Sequence, residues 1–171
     1  MSASIIYSSI FGAVLASMPS LSTRFVLFDT AVVDLTDQLN DPVDLLFGTQ
    51  LGGGTDIRKA IDYCAGHINR PADTTMVLIS DLEEGGSPAE MLKAAARIVD
   101  SGAQVVVLLA LSDEGEPYYS KTNASKFAAL GIPVFACTPD QFPDLMAACL
   151  SRRDLNLWGH AQGIKMSKPS R

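Results

Sequence analysis

No two cysteines in this sequence stand near one another. Cys64, Cys137 and Cys149 are odd in number, widely spaced and without a C-x-x-C pair. That excludes a disulfide framework and a cysteine metal knuckle, and the three read as reduced core residues of a cytoplasmic protein. Histidine is equally sparse: His67 and His160 stand alone, so neither zinc-ligand spacing nor a Ser/His/Asp set can be assembled. Basic residues are outnumbered, 13 Lys and Arg against 19 Asp and Glu for a net charge of −6. A phosphate backbone needs clustered positive charge, so no nucleic-acid partner is expected. The most apolar opening stretch, Ile5 to Met18, is shorter than the roughly 20 residues of a membrane span and has no Lys or Arg before it. Neither secretion nor a membrane partner is expected.

What is present suits a compact α/β domain. The chain has 171 residues, 47% hydrophobic and 19% charged, enough for one sizeable core. LGGGTDI, from Leu51 to Ile57, is the stretch around which the rest is read. Its glycines permit backbone conformations closed to other residues, and they run into a helix whose apolar face is Ile57, Ala60, Ile61, Cys64 and Ile68. Thr55 or Asp56 stands at the N-cap position, so a hydroxyl, a carboxylate and free helix N–H groups meet there.

Several buried strands flank that helix. RFVLFD from Arg24 is an unbroken apolar run ending in an acid, and AVVDL, from Ala31 to Leu35, gives a short strand after a tight turn. TTMVLIS, from Thr74 to Ser80, delivers Asp81 at its carboxyl end, and Gln104 to Leu111 is the longest apolar strand. Val134 to Ala136 adds another short strand. Ile5 to Met18 reads as a helix, Asp41 to Phe47 as a short one, and Asn123 to Leu130 as a third. Ser87 and Glu90 form a capping box for a helix reaching about Ser101, and Thr138 and Gln141 repeat the pattern before a last helix. The expected architecture is an open, mostly parallel Rossmann-like sheet with one antiparallel edge strand and helices on both faces. Residues 1–150 make the domain, and 151–171 read as a basic tail, solvated or docked on a partner through Trp158.

In open sheets of this kind, ligands gather at the carboxyl ends of the strands, where Thr55 and Asp81 both arrive. Here the chain resembles a von Willebrand factor type A (VWA) domain. In that family a metal-ion-dependent adhesion site combines Asp-x-Ser-x-Ser after the first strand, a Thr in a Gly-rich loop and an Asp ending the fourth strand. Thr55 in GGGTD and Asp81 in LISD match the second and third parts. FDTAVVDL, LGGGTDI and ISDLEEGG resemble stretches of the bacterial CoxE-like group, which implies a cytoplasmic adaptor working beside a MoxR-type AAA+ ATPase. The resemblance implies Mg²⁺, ligated by Thr55 and Asp81, and a protein partner that offers an acidic side chain to the metal.

Asp-x-Ser-x-Ser is absent, and no strand precedes the first helix, so the first central strand of the family is missing from the sequence as read. Met1 aligns just after the motif. The chain is therefore expected to bind no Mg²⁺ at physiological concentration, and to be unstable or partly molten until an upstream strand is supplied. Thr55 and Asp81 can also be read as a helix cap and a turn cap, with Glu83 and Glu84 as solvated loop acids. A metal-free structural fragment is one alternative. Another is a haloacid dehalogenase-like phosphatase using Asp29, but its general acid would fall at Ala31.

Overall fold

The computed structural model describes residues 14–15, 17–38, 54–109, 118–136, 138 and 140–169. The expected helices at Ile5 to Met18 and Asp41 to Phe47 fall mainly or wholly outside these residues, as do Leu51 to Gly53 of the glycine loop. Strands β1 (Val26–Phe28) and β2 (Val32–Asp34) form an antiparallel hairpin. Helix α1 (Ile57–Ala65) follows, then β3 (Thr75–Ser80), α2 (Pro88–Asp100) and β4 (Gln104–Leu109). The chain continues through α3 (Lys121–Ala129), β5 (Val134–Phe135), α4 (Phe142–Leu150) and α5 (Leu155–Ala161).

The expected parallel sheet is present as β3-β4-β5, in that order. Its strands are parallel because each is joined to the next by a helix, and all three are β-branched or apolar runs. Each face carries a helical layer. Leu78, Val105, Val107 and Leu109 pack with α1, α2 and α3 through Ile57, Ile61, Met91, Ile98 and Phe127. Val106, Leu108 and Phe135 pack on the other face with Phe142, Leu145 and Cys149 of α4 and Leu155 of α5. Alternation along each strand divides the side chains between the layers.

Helix boundaries follow local chemistry. Ser87 accepts from the Glu90 N–H as the N-cap of α2, and Gly102, at φ +95°, ends the exit from that helix. Helix α3 begins at Lys121 rather than Asn123, because Ser120 accepts from the Asn123 N–H and serves as the cap.

The tail differs from expectation. Asp154 accepts from the N–H groups of Asn156 and Leu157 and starts α5. Trp158 meets Phe135 edge-on, with ring centroids 6.0 Å apart. The chain then returns along β5: Ala136 N–H donates to Lys165, and Ser167 N–H donates to Val134. Trp158 is thus an anchor, but on this chain's own sheet. The basic composition hid a capped helix and a buried Leu155 and Ile164.

A second difference concerns the sheet itself. The hairpin β1-β2 and the sheet β3-β4-β5 are separate ladders. Leu35 N–H donates to Phe25 and Asp29 N–H to Ala31, so by alternation Leu27 also faces β2 while Val26 and Phe28 turn their backbone groups away. Gln104 N–H donates to Thr74, so Thr75, Val77 and Ile79 turn theirs away from β4. Among the described residues, none hydrogen-bonds these groups.

Candidate functional site

The carboxyl ends of β1 and β3 lie on one rim. Asp56 N–H donates to the carbonyl of Asp29 (2.7 Å), and Gly85 N–H donates to that of Thr55 (2.8 Å). Both strands therefore run in the same direction toward the glycine loop and the start of α1. Thr55 and Asp81, the two expected ligands, line the same cavity near this rim.

Asp56 is the N-cap of α1, accepting from the Lys59 N–H at 2.8 Å. That leaves Thr55 without a capping role, and among the described residues its hydroxyl makes no hydrogen bond. Gly54, at φ +113°, turns the chain into the helix; a Cβ there would stand 3.2 Å from the Thr30 methyl. Asp81 accepts from the Glu83 N–H at 3.1 Å through one carboxylate oxygen, the turn-capping role considered for it.

Glu84 corrects the expectation of two solvated acids. One of its oxygens accepts from Ile57 N–H at 2.7 Å and Arg58 N–H at 3.3 Å, and the other from Gly86 N–H at 2.8 Å. The carboxylate thus sits on the positive end of α1, where orphan N–H groups and the helix dipole both favour an anion. It binds the loop after β3 to the helix that carries Thr55. Glu83 is exposed, as expected.

Four further residues shape the rim. Leu82 has φ +60°, a conformation rare for a leucine, with its side chain fully buried. It is held there because Ser80 Oγ accepts its N–H (3.0 Å) and the buried Asn123 Nδ2 donates to its carbonyl (2.9 Å). Ser120 N–H donates to the carbonyl of Asp81 itself. A polar asparagine in the first turn of an otherwise apolar helix face was the available signal for this clamp.

The hairpin is tied to α1 by a second cluster. Asp34 accepts from Arg24, from the Thr36 hydroxyl and N–H, and from Tyr63 of α1 at 2.8 Å. Burial pushes its carboxyl upward, but these donors outweigh burial and hold it well below the usual carboxylate range. Lys59 Nζ donates to the Thr30 carbonyl. Asp29 is 8% exposed and accepts from the Ala31 N–H at 2.6 Å, closing the hairpin turn. A phosphoryl-accepting nucleophile needs an approachable carboxylate and a nearby acid; this one is enclosed in a turn.

The cysteines and histidines keep to plain roles. Burial raises the thiol of Cys64, and that of Cys149 to about 12; both are free thiols. Cys137 lies outside the described residues. His67 is exposed and edge-on to Tyr63, and His160 is exposed.

Thr55 and Asp81, the two ligands expected of a magnesium site, carry donors of the right chemical class. Thr55 offers an unengaged hydroxyl and Asp81 a carboxylate, the hard oxygen donors that Mg²⁺ prefers. Among the described residues no group of three or more His, Cys, Asp and Glu side chains could hold a metal ion.

The family model described as VWA domain containing CoxE-like protein matches residues 1–146. The chain belongs to this family. It is also 38% identical, over 144 residues, to the uncharacterized protein YehP of Escherichia coli strain K12. That match covers 84% of this VWA chain and 38% of YehP, so the chain spans well under half the length of its relative. No solved structure matches it. The α/β architecture, with a parallel sheet, an antiparallel hairpin and helices on both faces, is that expected for a VWA-like domain. No helix among the described residues is long and apolar enough to cross a membrane.

Proposed function

We propose that this chain is a VWA-type protein-interaction module without chemistry of its own, carrying a degenerate metal-ion-dependent adhesion site. The observation that supports this reading is the shared rim: an unengaged Thr55 hydroxyl and the Asp81 carboxylate lie at the carboxyl ends of parallel strands, fixed by Glu84, Ser120 and Asn123. When the ligand set is complete, Mg²⁺ at this rim supplies a coordination position for a partner's acidic side chain. The chain's own residues hold two corners, aim them, and keep the loops together.

The partner in this reading is a MoxR-type AAA+ ATPase or its client, with the module as adaptor in protein maturation or remodelling inside the cytoplasm. Family membership is its support. The test is sedimentation of the protein with the MoxR-type ATPase of the same genome, with Mg²⁺ and with EDTA. Metal-dependent association of the full-length protein, lost in Asp81→Ala and weakened in Thr55→Ala, is expected. Association unaltered by EDTA and by both substitutions would refute the metal-bridged reading.

For the chain as given, calorimetry should detect no Mg²⁺ binding at physiological concentration, because Mg²⁺ parts with its waters reluctantly for two ligands. Tight, Asp81-dependent binding would contradict this.

A further inference from the structure

The segment after α5 covers the outer edge of β5. Helix α5 ends in a Schellman turn: Gly163 N–H donates to the His160 carbonyl (3.2 Å) and Ile164 N–H to that of Gly159 (3.0 Å), with Gly163 at φ +68°. The turn sends residues 164–168 back along β5 in the antiparallel sense, with Met166 opposite Phe135. Among the described residues, this strap is fastened by Ala136 N–H donating to the Lys165 carbonyl, Ser167 N–H to that of Val134, and the Ser125 hydroxyl to that of Lys168.

Its side chains alternate as in a strand. Ile164 is buried and Met166 half-buried, and both pack in the cluster that holds Phe135 and Trp158. Lys165 and Lys168 are exposed, and among the described residues neither makes an ion pair. The seat for Met166 is built into α5. A Cβ on Gly159 would stand 2.6 Å from both Met166 Sδ and Phe135 Cε1. Glycine weakens a helix interior, so what this one supplies is room for the residue lying against it.

Lifting the strap at Gly163 uncovers the Ala136 N–H, the Val134 carbonyl and the two apolar seats of Ile164 and Met166. Water satisfies the backbone pair but not the seats, and a compact apolar ligand the seats but not the backbone pair; an extended peptide satisfies both. We propose that the outer edge of β5 is a docking site for an extended segment of a partner protein, apolar at two alternate positions with Lys or Arg between them, and that residues 164–168 occupy it as an intramolecular competitor. The strap itself displays the chemistry that the site accepts. Charge sets the residue between the seats: the chain carries a net −6, so a basic segment is drawn to it and an acidic one repelled. The fastening suits exchange. Where β3 and β4 pair along Thr75–Ser80, the strap meets β5 at an isolated bridge and swings on one glycine.

The test uses neither metal nor ATPase, so its outcome does not depend on the adhesion-site reading. The probe is a fluorescein-labelled peptide copying Gly163 to Pro169, followed by fluorescence polarisation against the 171-residue chain and against the double variant Gly163→Val, Met166→Asp. There a β-branched residue disfavours the left-handed turn, and a carboxylate falls on the apolar seat. The variant should bind the peptide at least about tenfold more tightly than the native chain, whose own strap masks the site. N-methylation of the peptide's Ser167 amide removes the donor to Val134 and should weaken binding about fivefold. Glutamate in place of both peptide lysines should weaken it too, most at low salt. Hydrogen exchange locates the contact: the Ala136 amide should exchange fast in the variant and slow again when the peptide is added. In the native chain, Ala136 and Ser167 should exchange faster than Val106 to Leu108, through opening of the strap alone.

Any of several results would overturn the proposal. Ala136 and Ser167 exchanging no faster than Val106 to Leu108 in the native chain would make the strap a fixed part of the fold, and that measurement stands even where the variant fails to fold. Equal binding to the two chains, binding that leaves Ala136 unprotected, or undiminished binding of the N-methylated peptide would each remove the site from β5. Protection of Ala136 in the variant that grows with protein concentration before peptide is added would make a second copy the occupant.

Discussion

Removing the Glu84 carboxylate should unfasten the Asp81 loop from the helix that follows Thr55. In Glu84→Ala, the N–H groups of Ile57 and Arg58 lose their acceptor at a helix start, and Gly86 loses another. Hydrogen bonds to a charged group contribute about 1.5 to 3 kcal/mol, and a carboxylate at a helix N-terminus adds about 0.3 to 1 kcal/mol. Ile57 is fully buried, so water replaces the lost partner poorly there; Arg58 and Gly86 are more open and recover much of theirs. A net local cost of about 2 to 3 kcal/mol is expected, which is a roughly 30- to 150-fold rise in opening. Hydrogen exchange reads this directly: the Ile57 and Gly86 amides should accelerate by that factor, with Val106 and Val107 unchanged. Glu84→Gln keeps an acceptor oxygen without the charge and should cost about 1 kcal/mol. Unchanged exchange at Ile57 in Glu84→Ala would refute the claim that this side chain joins the two loops.

Other substitutions probe the same rim and the hairpin. Gly85→Ala would place a Cβ 2.7 Å from the Thr55 carbonyl oxygen; the loops must part, at about 1 to 3 kcal/mol, measurable in urea titrations. Asn123→Ala leaves the Leu82 carbonyl without its buried donor and should cost about 1 to 3 kcal/mol, with chemical shifts of Asp81 and Leu82 moving more than those of α3. Tyr63→Phe removes one donor to Asp34 and should loosen the hairpin by about 1 to 2 kcal/mol. Because the Asp34 carboxyl is held below its ordinary range in the folded state, its stabilisation is complete above the unfolded value and is lost as pH falls through the folded one. Acid titration followed at Tyr63 should therefore show the hairpin releasing only below about pH 4, and a release near neutrality would refute that assignment.

Much of the fold was legible because its signals are local. The buried strands at Thr75–Ser80 and Gln104–Leu109, the Ser87 cap and the Gly102 stop all declare themselves within a few residues. Thr55 and Asp81 could be placed together because strand direction alone brings both to one rim. Helix α5 was hidden because its residues were weighed by charge rather than by the Asp154 cap and the spacing of Leu155 and Trp158. Glu84 was misjudged because its partners lie 26 and 27 residues away. An acid in a glycine-rich loop looks the same in sequence whether it faces water or a helix end. Which backbone groups of β1 and β3 lie at the break between the two ladders depends on register, and register is not declared locally.

Leu82 gives the rim a remote governor. Its left-handed backbone persists because Asn123, 41 residues downstream, holds its carbonyl while the core holds its side chain. The aim of Asp81 is therefore inherited from the seating of α3 on the sheet. Substitutions at Ala124 or Phe127, buried beneath that helix, should shift Asp81 while every residue of the rim stays the same. Differences in the geometry of this rim among relatives should accordingly be sought under α3 as well as in the loops.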